Sequence, residues 1–170
     1  MRGEPRVLLT GATGYVGGRL RKALEAAGIP LRCLARRPEH LAARVGAGTE
    51  VVRGDVLDRD SLGPALADVH TAYYLVHSMG SGGRFEEQDR EGAANFGAAA
   101  RAAGLRRIIY LGGLGEARSA LSPHLRSRRE TEQRLAAGSV PVTTLRAGMV
   151  VGKGSAAFET IAALVDRLPA

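Results

Sequence analysis

The chain has one cysteine, Cys33, no tryptophan, and only three phenylalanines and four tyrosines in 170 residues. A lone cysteine excludes an internal disulfide framework, and its place in an apolar run predicts a small buried hydrophobe. The few aromatics are not interleaved with arginine, which removes the stacking platform that single-stranded nucleic acid requires. Neither recognition-helix spacing nor metal-ligand spacing of Cys, His or Asp is present. Nucleic acid and metal are therefore not expected as partners, despite a net charge of +7. All but two of the 24 basic residues are arginine, and they are spread along the chain rather than gathered in a tail. No apolar run approaches the roughly 18 residues of a membrane helix. The opening Met1–Pro5 lacks an apolar leader pattern, so a cytoplasmic location is the expectation.

What is present is an ordinary globular composition, 45% hydrophobic, over a length that suits one domain spanning 1–170. Strand-like runs at Arg6–Thr10, Leu31–Ala35, Glu50–Arg53, Thr71–Val76, Arg107–Leu111 and Val142–Leu145 alternate with helix-like stretches. The helices are expected at Gly18–Ala27, Pro38–Val45, Asp60–Ala67, Glu86–Ala103, Pro123–Ala137 and Ala156–Leu168. Gly28, Gly104 and Gly138 each follow a helix as C-terminal caps should, and Asp60 or Ser61 can cap the third. Such alternation predicts an α/β fold: a Rossmann-like, doubly wound parallel sheet of about six strands in the order 3-2-1-4-5-6. Nothing after the last strand has the length of a substrate-covering lobe, so the chain reads as a truncated piece of something longer.

The most informative segment joins the first strand to the first helix. Gly11, Gly14 and Gly17, with Thr13, Tyr15 and Val16 between them, form a glycine turn that lets backbone approach a pyrophosphate at a helix N-terminus. A plain tight turn is the alternative. In a doubly wound sheet the ligand lies across the carboxyl ends of the strands. After the second strand come Arg36 and Arg37, where an NAD binder usually places an acid. Arginine forks onto a 2′-phosphate, so NADP(H) is expected ahead of NAD(H). Asp55 and Val56, after the third strand, suit the adenine. Val76 and His77, after the fourth, should run beneath the nicotinamide half. A histidine in such a place is more often a packing residue than an acid–base group.

Thr10–Gly17 resembles the TGxxGxxG signature of the extended and atypical short-chain dehydrogenase/reductase superfamily. Asp55-Val56 is similar to its adenine-side pair, and Leu145–Gly152 resembles its LRPxxxxG segment with Ala147 in place of proline. The segments Tyr74–Met79 and His124–Arg128 resemble a bacterial atypical, NmrA-like branch. The resemblance implies a dinucleotide site, hydride chemistry on an unknown small substrate, and a homodimer through the fourth and fifth helices. The superfamily's Tyr-x-x-x-Lys pair is absent: no tyrosine follows Tyr110, and the only lysine beyond Lys22 is Lys153. The Ser or Thr expected after the fifth strand is replaced by Gly112-Gly113. His124 and Arg128 are the candidates to replace the pair. The alternative function is a non-catalytic module that senses the dinucleotide or assists assembly.

Overall fold

The computed structural model describes residues 6–77, 84–114, 122–148 and 150–167. Six strands alternate with helices: β1 (Arg6–Thr10), α1 (Tyr15–Ala26), β2 (Leu31–Ala35), α2 (Glu39–Ala42), β3 (Thr49–Arg53), α3 (Arg59–Leu66), β4 (Val69–Tyr74), α4 (Phe85–Ala102), β5 (Arg107–Gly113), α5 (Pro123–Ala137), β6 (Val142–Ala147) and α6 (Ala156–Val165). The strands form one sheet in the order β3-β2-β1-β4-β5-β6. Every pairing is parallel. This is the doubly wound order that the alternation predicts, with the reversal falling between β1 and β4.

Successive residues of a strand face opposite layers, and β1 shows it directly. Leu8 joins a core with Leu62, Leu66, Phe96, Ile108 and Leu135. Leu9 joins a second core on the other face with Leu31, Cys33 and Leu41. Cys33 is fully buried, and burial pushes its thiol up to about 12, so it is an inert apolar group as expected. In the larger core Phe96 sits edge-on to Tyr74, with ring centroids 5.0 Å apart.

Several boundaries differ from the sequence expectation, each for a local reason. β4 starts two residues early, at Val69, because Val69 pairs with Arg6 across an irregularity in the register. It ends at Tyr74, which frees Leu75, Val76 and His77 as non-strand backbone at the carboxyl edge. α2 is only four residues long, not eight. The cap of α3 is Asp58, whose side chain accepts from the Asp60 N–H, rather than Asp60 or Ser61. Gly28 and Gly104 take positive φ after their helices; Gly138 caps α5 as expected, with the positive φ one residue later at Ser139, 66°. Gly138 also permits close approach to α4, since a Cβ there would stand 2.5 Å from the Gly97 carbonyl oxygen. The predicted end of the last helix, Leu168, lies outside the described residues, as do Ser78, Met79 and Met149 of the resembling segments.

Of the exposed large apolar side chains, Leu145 lies on the edge strand β6, Val151 follows it, and Phe158, Ile161, Leu164 and Val165 lie on α6.

Phe96 is 0% exposed and central to the larger core. Phe96→Ala is expected to cost about 3–5 kcal/mol, which a shift of the urea midpoint at unchanged slope would report.

Candidate functional site

β1 ends at Thr10, which is fully buried. Its hydroxyl donates to the Tyr73 carbonyl at 3.1 Å and accepts from the Leu75 N–H at 2.9 Å. One side chain thus ties the carboxyl ends of β1 and β4 where the strand order reverses. The chain then turns at Gly11, φ +69°, where a Cβ would stand 2.9 Å from the Leu75 carbonyl oxygen. A Cβ on the buried Gly17 would run into the Gly11 carbonyl oxygen. Both contacts are with backbone, which cannot swing aside, so only glycine fits.

Gly14 caps α1 in extended conformation and makes no side-chain cap. The first-turn N–H groups of a helix have no intrahelical partner, and with the positive dipole end they bind anions. Thr13 and Gly14 are exposed, with Tyr15 and Val16 half-buried behind them. An uncapped helix start behind bare, exposed backbone fits a pyrophosphate. Tyr15 has a further contact that its place in the motif does not announce. The Arg19 guanidinium lies 3.8 Å above its ring centroid, and its hydroxyl abuts Gly152. Arg19 also donates to the Lys153 carbonyl at 2.8 Å, which holds the segment after β6 against the start of α1.

On the β2–β3 side, Arg36 and Arg37 follow β2 and are exposed. Arg53, which ends β3, donates to the Arg36 carbonyl at 3.3 Å and lies 3.5 Å from the Glu39 carboxylate. Three arginines therefore gather at this end. The third is legible only through pairing, since Arg53 lies opposite Ala35. Asp55 holds its own turn: its carboxylate accepts from the Leu57 N–H at 3.0 Å, and its N–H donates to the Ser61 hydroxyl at 3.0 Å. Val56 is buried, and a Cβ on Gly92 would come within 2.7 Å of its side chain. That side chain belongs to the core under α4, while its carbonyl accepts from Asn95 at 3.2 Å.

On the β4–β5 side, Val76 and His77 are half-buried beyond β4. His77 faces His124 of α5, with ring centroids 6.2 Å apart. Burial, then the nearby Arg128 cation, lowers the His77 pKa to about 4, so its imidazole is neutral at physiological pH. Arg128 donates to the Leu111 carbonyl of β5 at 3.2 Å, and the Tyr110 hydroxyl donates to the Arg128 carbonyl at 3.0 Å. Ser127, buried on the same helix, donates to the buried Asp89 of α4 at 2.9 Å. The predicted residues thus form three groups: the glycine cradle in the middle, arginines on one side, and imidazoles with Arg128 on the other. Among the described residues, no group of three or more His, Cys, Asp or Glu side chains could hold a metal ion. Among them also, no helix is long and apolar enough to cross a membrane.

Comparison with known proteins agrees with this geometry. A family described as NAD(P)H-binding matches residues 11–164. A (4-alkanoyl-5-oxo-2,5-dihydrofuran-3-yl)methyl phosphate reductase of Streptomyces griseus is 40% identical over 141 residues, covering 82% of this chain and 46% of that protein. A ceramide reductase of Caulobacter vibrioides is 32% identical over 169 residues, covering 96% of this chain and 52% of that protein. The chain therefore spans about half the length of these curated relatives. Triphenylmethane reductase of Citrobacter sp., solved with NADP(H), superposes with a TM-score of 0.74 at 27% identity, over 86% of this chain and 50% of that one. The enzyme WbmH of Bordetella bronchiseptica, solved with NAD+, superposes at 0.79 with 19% identity, over 95% of this chain and 62% of that one, and shares the fold. A glycine cradle at the switch point, a 3-2-1-4-5-6 sheet and a family match over nearly the whole chain lead to one conclusion: the protein belongs to the NAD(P)H-binding family, among the atypical short-chain dehydrogenases/reductases.

Proposed function

We propose that this chain seats NADP(H), in preference to NAD(H), for the reduction of a small organic substrate. The observation that carries the preference is the arginine group after β2. Arg36 and Arg37 stand exposed where an acid would hold a ribose hydroxyl, and Arg53 is tethered beside them. A carboxylate there would repel a 2′-phosphate, whereas a guanidinium makes paired, charge-assisted bonds to it. In this reading Gly11, Thr13, Gly14, Tyr15, Val16 and Gly17 hold the pyrophosphate, Asp55 and the Val56 backbone flank the adenine, and Val76 and His77 lie under the nicotinamide half.

Reduction is supported by the relatives, several of which are named reductases. NAD(P)H bound here would supply a hydride to an electrophilic carbon and leave as the oxidised nicotinamide. The chain's own residues would hold that nicotinamide over the ends of β4 and β5 and keep the reacting face oriented. A cytoplasmic location and self-association through α4 and α5 belong to the same reading. One observation favours a second reading, a dinucleotide sensor: α5 carries no tyrosine or lysine, and Gly112-Gly113 ends β5 where the superfamily places a hydroxyl.

Two measurements test the proposal. Arg36→Ala combined with Arg37→Ala is expected to weaken NADPH binding roughly tenfold or more while leaving NADH unchanged, by fluorescence titration. An unchanged NADPH:NADH ratio would remove the 2′-phosphate assignment. With NADPH deuterated separately at each C4 face and a panel of carbonyl compounds, transfer is expected from one face only. Tight binding without any transfer would favour the sensor.

A further inference from the structure

His124, and its meeting with His77 at the β4–β5 edge, are not accounted for by cofactor binding. His77 lies three residues beyond Tyr74 on half-buried backbone, and His124 is exposed in the first turn of α5. Far apart in sequence, they meet with ring centroids 6.2 Å apart and planes inclined at 74°. Three contacts hold the helix that carries His124. Arg128, one turn along, donates to the Leu111 carbonyl, and the Tyr110 hydroxyl donates back to the Arg128 carbonyl. Ser127 donates to Asp89 across the buried contact with α4. His124 is therefore placed by a strand and two helices rather than by a loop, as a precise functional group should be.

The location matters as much as the rigidity. In this fold the dinucleotide lies across the carboxyl ends of the strands. With the adenosine half on the β2–β3 side, its reacting half lies over β4 and β5, where the imidazoles stand. Arg128, Asp89 and His124 are the charged and titratable groups that act on His77. Kept neutral by burial and by Arg128, His77 offers one N–H donor and one acceptor nitrogen. His124, in contact with solvent, can exchange its proton.

Building on the reductase reading above, we propose that His124 is the catalytic proton donor for a carbonyl substrate, whose oxygen lies beside the paired rings within reach of both, and that His77 positions that oxygen. As the hydride reaches the carbonyl carbon, the C=O π pair moves onto the oxygen. His124 passes a ring N–H proton to that oxygen, giving an alcohol, and recovers a proton from solvent. The neutral His77 N–H and the Arg128 cation stabilise the charge that develops on the oxygen. This arrangement fills the roles of a phenol and an ammonium without either residue.

The test uses the 170-residue chain with ¹³C-labelled histidine, its four imidazoles assigned from single substitutions. NADP+ is expected to shift the His77 and His124 ring signals, whereas 2′,5′-ADP, which lacks the nicotinamide half, leaves both in place. Binding of NADP+ without movement of either signal overturns the proposal, and with it the place of His77 under the nicotinamide, while the pyrophosphate and adenosine assignments stand. Failure of both ligands to bind ends both readings. With NADPH and a panel of aliphatic, cyclic and quinoid ketones, His124→Gln is expected to lower kcat about 100-fold or more at unchanged NADPH affinity. His77→Asn, which keeps a donor, is expected to retain more kcat than His77→Leu. Wild-type kcat in His124→Gln, equal loss in the two His77 variants, or no turnover by the wild-type chain with any ketone overturns the assignment.

Discussion

The close approach of α1 to the end of β1 is the constraint on which the site depends. The helix begins so near the strand that the positions of Gly11 and Gly17 have no room for a side chain, since each would meet a backbone carbonyl. Backbone cannot rotate away as a flexible side chain can, so the spacing is set by glycine alone. Thr10 completes the arrangement from inside the sheet by donating to Tyr73 of β4 and accepting from Leu75 just beyond it. Together these contacts put an uncapped helix N-terminus at the carboxyl edge, beside the point where the strand order reverses. An anion site follows from that placement, and the flanking strands decide what else the ligand must be.

The two sides of the seam carry different chemistry because different strands end there. The ends of β2 and β3 gather arginines, which suits a phosphate on the adenosine side. The backbone after β4 and the start of α5 bring imidazoles together beside Arg128, which suits an oxygen that gains charge. The helix pair α4–α5 links this chemistry to the core. The Asp89–Ser127 bond is buried within it, and Gly97 and Gly138 let the two backbones approach.

Much of this is legible in the sequence, and the exceptions share a cause. The strand order, the glycine cradle and the arginines after β2 follow from local pattern: alternation of period, glycine spacing, and residue type at a strand end. Asp58 is hard to single out as a cap because Asp60 and Ser61 are equally good local candidates, and only the actual helix start separates them. Arg53 and the Arg19–Lys153 link depend on strand register and on the path of the chain after β6. The partnership of His77 with His124 depends on β4 lying beside β5, so neither residue alone announces it. Val56 shows the reverse: its motif suggests a face for adenine, but packing against Gly92 takes its side chain into the core.

That the glycine turn between β1 and α1 holds a dinucleotide pyrophosphate is tested most directly by isothermal titration with NADPH. The wild-type chain is compared with a Gly14→Val variant that stays folded by circular dichroism. One-to-one binding to the wild-type chain is expected, with its loss in the variant, whose side chain would fill the exposed cradle. Equal binding by both chains, or no binding by the wild-type chain at physiological NADPH concentration, would contradict it.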